Sequence, residues 1–404
     1  MRMPFCKKTF LYFRRRIKVW FKRVAFLVIH LFFYCKKTFS IVRFSVAEIR
    51  SILLIETAFL GDVIAITPAI HSIKEAIPDA LVDVLVEKKY TPLLQFERKI
   101  EHLYGVNTSH FFSLLKIIFA MRKNSYDLVV CTSPGVKNSF ISLFSGKRFI
   151  TGYLLHPVWE TNFFNDFYSV MIGSDITSLY PKQAHLTTRA LNSLAPLNLD
   201  IDCASSQVRL QLSSVIEKQK LLFLNASYFI KPGKINIVIH PCASWAYKQW
   251  PLENMELLIQ YLLEQYSDMV HVTLIGIPSE KHSLTKIKKS VSQKIMLLVG
   301  TDLLTIMTLI KNADVFIGND SGPKHIADAF EKPIIELLGP SLPQTVGGKN
   351  NKVRFFYENV SCSPCSHQEC SNQGLCMRSI TVESVLSHLC SIIDSQLEKR
   401  SVLP

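Results

Sequence analysis

The chain has 404 residues, 48% of them apolar, which excludes a disordered chain and makes two compact domains the natural expectation. Its formal net charge of +14 suggests a nucleic-acid binder until the charge is located. Residues 1–50 carry thirteen Lys and Arg against one acid, Glu48, a net +12. The other 354 residues carry only +2, so no nucleic-acid partner is expected for the globular part.

The basic segment is also rich in Phe, Tyr, Trp and Ile. Its longest apolar run, Val24 to Tyr34, has 11 residues, well short of the roughly 20 that a spanning helix needs. Lys36 and Lys37 close the run and no small-residue cleavage site follows, so it does not read as a secretory signal. Cations interleaved with bulky apolar side chains suit contact with an anionic membrane surface, rings in the acyl boundary and charges among the head groups. An extension without a partner, or one that contacts nucleic acid, is the alternative. Without an export signal the ten cysteines are expected to stay reduced. The expected location is cytoplasmic, peripheral on the inner face of the cytoplasmic membrane.

From Ser51 the pattern changes. A strand is predicted at 51–56, a loop from Thr57 to Gly61, a helix at about 63–77, a strand at 81–86, a helix at 111–123 and a strand at 126–132. This alternation implies a parallel sheet with helices on both faces. It blurs between about 151 and 230, where aromatic-rich loops (153–168) and a helix (182–195) are expected. Strands resume at 235–240, 270–275, 295–299, 314–318 and 333–338, with helices at 253–266, 279–290, 302–312 and 322–331. A last helix, 381–398, sets Val385, Leu386, Leu389 and Ile393 on one face. The fold class is therefore α/β. Two Rossmann-like, doubly wound domains, 51–215 and 216–404, follow the 1–50 extension, with a ligand cleft between them.

Three loops carry candidate chemistry. Thr57-Ala-Phe-Leu-Gly61-Asp62 follows the first strand, where Gly61 permits close backbone approach and Asp62 is either a base facing the cleft or an ordinary N-cap. His240-Pro-Cys-Ala-Ser-Trp-Ala-Tyr-Lys248-Gln-Trp250 opens the second domain. Lys248 there is either a phosphate clamp among aromatic rings or a solvated lysine beside core tryptophans. In Gly318-Asn-Asp320-Ser321-Gly322-Pro323-Lys324-His325 a strand ends and a helix starts at Pro323, the favoured first helical position, which makes an anion site from backbone N–H groups and Ser321. Asp320 can accept from sugar hydroxyls, and Lys324 or His325 can meet a phosphate. No dinucleotide glycine fingerprint, Walker lysine or zincin motif is present, which disfavours dehydrogenase, P-loop and zinc-protease chemistry.

These loops, in this order, resemble the heptosyltransferase family of lipopolysaccharide core synthesis. The likeness runs through Leu60-Gly-Asp-Val-Ile-Ala-Ile-Thr-Pro, Ala76-Ile-Pro-Asp-Ala-Leu, His240-Pro-Cys-Ala-Ser-Trp, Lys248-Gln-Trp-Pro, Gly318-Asn-Asp-Ser-Gly-Pro and Leu338-Gly-Pro-Ser, so it covers the chain from about Ser51 onward. The resemblance implies a GT-B arrangement. The first domain would take a lipid-linked oligosaccharide acceptor and the second a nucleotide-sugar donor, ADP-heptose in the family, with inversion and no metal. It implies Asp62 as general base beside Gly61, and Lys248 on the donor phosphates as the group that stabilises the leaving diphosphate. Asp320, Ser321, Gly322 and His325 match the donor loop, and Glu280 an acidic residue near the nucleoside. Cys242 stands where the family commonly has glycine and Lys324 where an apolar residue is usual, so a different donor is an open alternative. A non-catalytic, membrane-associated sugar-binding relative is another. Cys362, Cys365, Cys370 and Cys376 have the number and type of a tetrahedral structural zinc site, with reduced structural thiols or a redox pair as alternatives.

Overall fold

A computed structural model of the protein describes residues 46–133, 136–152, 184–197, 206–365 and 370–402. The first 45 residues of the basic extension and the aromatic-rich stretch 153–168 lie outside the described residues.

Two parallel sheets form the frame. The first contains β1 (Ser51–Glu56), β2 (Leu81–Glu87), β3 (Leu103–Val106), β4 (Tyr126–Cys131) and β5 (Gly146–Gly152) in the order β3-β2-β1-β4-β5. The second contains β6 (Ile235–His240), β7 (Val270–Gly276), β8 (Met296–Val299), β9 (Val315–Asn319), β10 (Ile334–Leu338) and β11 (Val353–Tyr357) in the order β11-β10-β9-β6-β7-β8. Central strands covered on both faces read as unbroken apolar runs, and every residue of β6, Ile-Asn-Ile-Val-Ile-His, is buried. Strand order reverses between β1 and β4 and again between β6 and β9. The loops after β1, β6 and β9 therefore leave the sheets at their switch points, where such folds hold ligands.

The expected helix at 63–77 is two helices, α1 (Leu60–Ala65) and α2 (Thr67–Ala76). Pro68, in the first turn of α2, supplies no N–H to a continuous ladder, and the break falls at Ile66. The Thr67 hydroxyl spans the break, donating to the Ile64 carbonyl at 2.8 Å. Next come α3 (Phe111–Arg122) and α4 (Val136–Ser145), then α5 (Leu186–Asn192), a shorter helix than the expected 182–195. The second half holds α6 (Ser214–Ala226), α7 (Leu252–Tyr266), α8 (Lys281–Val291), α9 (Leu303–Lys311), α10 (Gly322–Ala329) and α11 (Val382–Val402). Strands β3, β5 and β11 were not expected. All three are sheet edges, and β3 and β11 are only partly buried, so they lack the buried apolar run that marks β1 or β6; the fourth edge, β8, was expected from its apolar run at 295–299.

One apolar core is shared by both halves. It runs from Ile52 and Val63 through Leu191 of α5 to Met307, Phe316 and Ile326 of the second half. A second cluster lies elsewhere in that half, with Trp250, Leu258, Leu274 and Leu389. A polar contact reinforces the junction: the His185 ring at the start of α5 bonds the Gly347 carbonyl at 2.7 Å. Burial pushes the His185 pKa down to about 4. The ring is neutral, its Nδ1 accepting from the Thr187 N–H while Nε2 donates to Gly347. Among the described residues no helix is long and apolar enough to cross a membrane.

Candidate functional site

The turn after β1 is built to hold two carboxylates. Glu56, the last residue of β1, is buried. It accepts from the Ala58 N–H at 2.8 Å and the Thr132 hydroxyl at 2.7 Å. Asp62, in the first turn of α1, accepts the Phe59 N–H at 3.1 Å and so does serve as a cap. Both line one small cavity of about 50 Å³ with Thr132, Ser133 and Arg189. Burial, then the charge of Asp62, pushes the Glu56 pKa up to about 7. Asp62 is also raised, by burial first, with Asp320 adding and the Phe59 hydrogen bond and Arg189 opposing. Capping and proton-accepting roles are compatible here, since one carboxylate oxygen caps and the group still faces the cavity. Outside it an open cleft of about 750 Å³ is lined by Thr57, Phe59, Lys88, Lys89, Asn107 and Ser109.

On the other side, His240 at the end of β6 organises two expected donor residues. Its Nδ1 lies 2.9 Å from the Ser321 hydroxyl and its Nε2 3.3 Å from Glu280. A carboxylate can only accept, so Nε2 donates to Glu280. Ser321 occupies the N-cap of α10, but its hydroxyl bonds the His240 ring rather than capping the helix. Burial works to raise the Glu280 pKa. Its bonds to His240 and to the Ile277 N–H outweigh burial and hold it below the ordinary value.

Lys248 and Asp320 are brought together: the ammonium lies 2.7 Å from Oδ2, which also accepts from the Ser341 hydroxyl at 3.0 Å. Burial alone would raise the Asp320 pKa, but the Lys324 and Lys248 charges hold it at about 2. The Lys248 ammonium also sits 5.0 Å from the Trp245 ring centroid. Trp250, by contrast, is wholly buried, its indole N–H donating to the Ile380 carbonyl at 3.0 Å, so it is core. Asn319 fixes the loop between them, accepting the Trp250 N–H at 3.0 Å and donating to the Pro241 carbonyl at 2.8 Å.

The two sides touch. A Cβ on Gly61 would lie 2.6 Å from the His325 ring, and one on Gly322 would lie 3.3 Å from Leu60, so the residue at 61 must be glycine for the loops to close. His325 is buried and held neutral, its pKa well below the ordinary value through burial and then the Lys324 charge. It packs against the β1–α1 loop at Gly61.

Lys324 departs from expectation. It is fully buried, paired with the equally buried Glu336 and bonded to the Val346 carbonyl, so it does not reach the cleft to meet a phosphate. Successive residues of a helix turn by about 100°, and His325 faces Gly61 while Lys324 faces β10. The zinc reading of Cys362, Cys365, Cys370 and Cys376, one of the alternatives for this cluster, is not shown: among the described residues no three His, Cys, Asp or Glu side chains gather to hold a metal ion. Cys376 is buried, 3.1 Å from a Cβ built on Gly339, and Cys370 accepts the Gly374 N–H at 3.1 Å. The described cysteines are free thiols.

Glu56, Arg189, His240 and Asn319 were not singled out from sequence. His240 and Asn319 stand inside quoted motifs, where a strand-end histidine and an asparagine before Asp320 were available signals. Glu56 shares the β1–α1 turn with Asp62 but is buried by Thr132 from elsewhere in the fold, and Arg189 is brought to Asp62 by tertiary contact.

A model of glycosyltransferase family 9 (heptosyltransferase) matches residues 114–376. Lipopolysaccharide heptosyltransferase 1 of Campylobacter coli is 25% identical over 342 residues, spanning 83% of this chain and 96% of its own. The glycosyl transferase family 9 structure from Veillonella parvula superposes with a TM-score of 0.71 at 18% identity, over 86% of this chain and 98% of that one. The structure of E. coli ADP-heptose lps heptosyltransferase II gives 0.66 at 20% identity, over 86% and 99%. The fold is thus the GT-B arrangement of two Rossmann-like halves.

Proposed function

Because the chain belongs to glycosyltransferase family 9, the heptosyltransferases, and is therefore a transferase, we propose that it moves a heptose from ADP-heptose onto a lipid A/core oligosaccharide acceptor. The reaction inverts the anomeric carbon and uses no metal. The first domain, 51–215, takes the acceptor and the second, 216–404, the donor. The observation that carries this reading is the meeting of Asp62 with the donor loop: its helix packs on α10 through Gly61–His325 and Leu60–Gly322.

In the reaction, Asp62 takes the proton from the acceptor hydroxyl as that oxygen attacks the anomeric carbon. The bond from that carbon to the diphosphate breaks on the opposite face. Lys248 and the N-terminal N–H groups of α10 receive the charge that builds on the departing diphosphate. Asp320 holds Lys248 in place and presents an oxygen to the sugar hydroxyls. His240 positions Ser321 and Glu280 on the nucleoside side of the donor. Residues 1–50, whose +12 charge is interleaved with aromatic rings, attach the enzyme to the anionic inner face of the membrane where the acceptor is made.

A donor screen tests the reading. Purified protein with a truncated, detergent-dispersed lipopolysaccharide acceptor should release ADP from ADP-heptose at least a hundredfold faster than UDP from UDP-hexoses, with an inverted product linkage by NMR. Comparable turnover with UDP-hexoses would overturn the donor assignment.

A further inference from the structure

Helix α3 is apolar over most of its length, Phe-Phe-Ser-Leu-Leu-Lys-Ile-Ile-Phe-Ala-Met-Arg, yet of its residues only Met121 is buried. Phe111, Phe112 and Phe119 are 67%, 83% and 64% exposed. Scattered exposed apolar residues need no explanation, but three phenylalanines on one short helix form a patch, and such patches mark interaction surfaces. The helix has no acidic residue. Its cations are Lys116 and Arg122, with Lys123 directly after.

Its location matters as much as its composition. The helix begins just after Asn107 and Ser109, which line the open cleft together with Thr57 and Phe59 of the β1–α1 turn that carries Asp62. Its other end leads into β4, whose Asp127 accepts the Arg50 N–H at 3.0 Å. Arg50 precedes β1, so the basic extension joins the fold beside the C-terminal end of α3. The helix, about 18 Å long at 1.5 Å per residue, thus runs between the mouth of the cleft and the root of the extension.

We propose that α3 is a second membrane-docking surface, its phenylalanines entering the acyl boundary of an anionic bilayer while Lys116, Arg122 and Lys123 meet head-group phosphates. The placement brings the cleft mouth down to a lipid-linked acceptor, and it rests on the functional reading above. Charge selects this occupant. Residues 1–45 hold twelve Lys and Arg and no acid, so as a cover they would lay cations on the cations of α3. A second copy of α3 would do the same. An anionic lipid surface neutralises helix and extension together and matches the pairing of rings with cations that interfacial helices use.

The test uses the full chain and vesicles of phosphatidylglycerol with phosphatidylcholine. In wild type, vesicles should slow amide exchange across 111–122, whereas phosphatidylcholine alone should not. The triple variant Phe111→Ser/Phe112→Ser/Phe119→Ser should lose at least tenfold in the vesicle-bound fraction that survives high salt, with an unchanged melting temperature because the side chains are exposed. Lys116→Gln/Arg122→Gln/Lys123→Gln should instead lose binding at low salt. Unchanged sedimentation of the phenylalanine variant at every salt overturns the proposal. So does slow exchange of α3 without vesicles that is released by Arg14→Glu/Arg15→Glu/Arg16→Glu, which would make the extension the occupant. Vesicle binding needs no sugar transfer, so a failed donor screen with intact α3 docking would count against the transfer reading alone.

Discussion

Glu56 and Asp62 stand at the two ends of the β1–α1 turn and line a single small cavity, so two carboxyl groups compete to ionise in one place. Glu56 has its pKa pushed from an ordinary 4.5 to about 7, and that of Asp62 is raised as well. Between those values the folded chain binds protons that the unfolded chain has released. Stability should therefore fall as pH rises from about 4.5 to about 7 and level off above. Glu56→Gln should flatten that fall without abolishing it, because Asp62 remains. Thermal unfolding from pH 4.5 to 8.5 checks this, and parallel curves for the two proteins would refute it. Transfer activity should rise over the upper part of the same window as the pair loses its last proton, with a lower midpoint in the variant.

Asp62→Asn keeps an oxygen for the Phe59 N–H and removes the proton acceptor. Its kcat should drop by a factor on the order of 10² or more, while ADP affinity by calorimetry stays within about twofold of wild type. Near-normal turnover would leave Asp62 as a helix cap and nothing else.

Lys248 and Asp320 form a largely buried ion pair, and removing one partner strands the other. Lys248→Ala should weaken ADP binding about tenfold or more, about 1.4 kcal/mol or above. Asp320→Ala should weaken the sugar nucleotide more than ADP, since in the proposed reaction it removes the group that meets the sugar hydroxyls. Calorimetry on both ligands separates the two effects. Equal losses on ADP for Asp62→Asn, Lys248→Ala and Asp320→Ala would defeat the division of labour between the halves.

Lys324 is held by Glu336 and the Val346 carbonyl in the interior. Lys324→Met should destabilise the protein by about 3–5 kcal/mol by leaving a carboxylate buried alone. Lys324→Met/Glu336→Leu should regain most of that loss and still bind ADP. A double variant that folds normally but has lost ADP would return Lys324 to the donor site.

Much of this architecture was legible in the chain because doubly buried parallel strands leave continuous apolar runs, as in β1 and β6. The partly buried edge strands β3 and β11 were not, since exposure breaks up that signal. The site was legible where a short loop concentrates polar groups at a strand end, as at Asp62, Lys248 and Asp320. Lys324 misled because adjacency in sequence was read as adjacency in space, and one helical step separates the residue facing Gly61 from the one facing Glu336. Glu56 was hidden for the opposite reason. Its burial is made by Thr132 and Ser133, which arrive from another strand, and nothing beside it in sequence announces them.

The apolar core that passes from Ile52 through Leu191 to Phe316 has a thermodynamic consequence. Halves joined only by a polar hinge can unfold separately, each with its own transition. Here part of the interior of each half is the other half, so exposing either surface leaves apolar side chains of both in water. The free energy of opening the junction is then a large share of the free energy of unfolding, and the two Rossmann-like units should melt as one cooperative block.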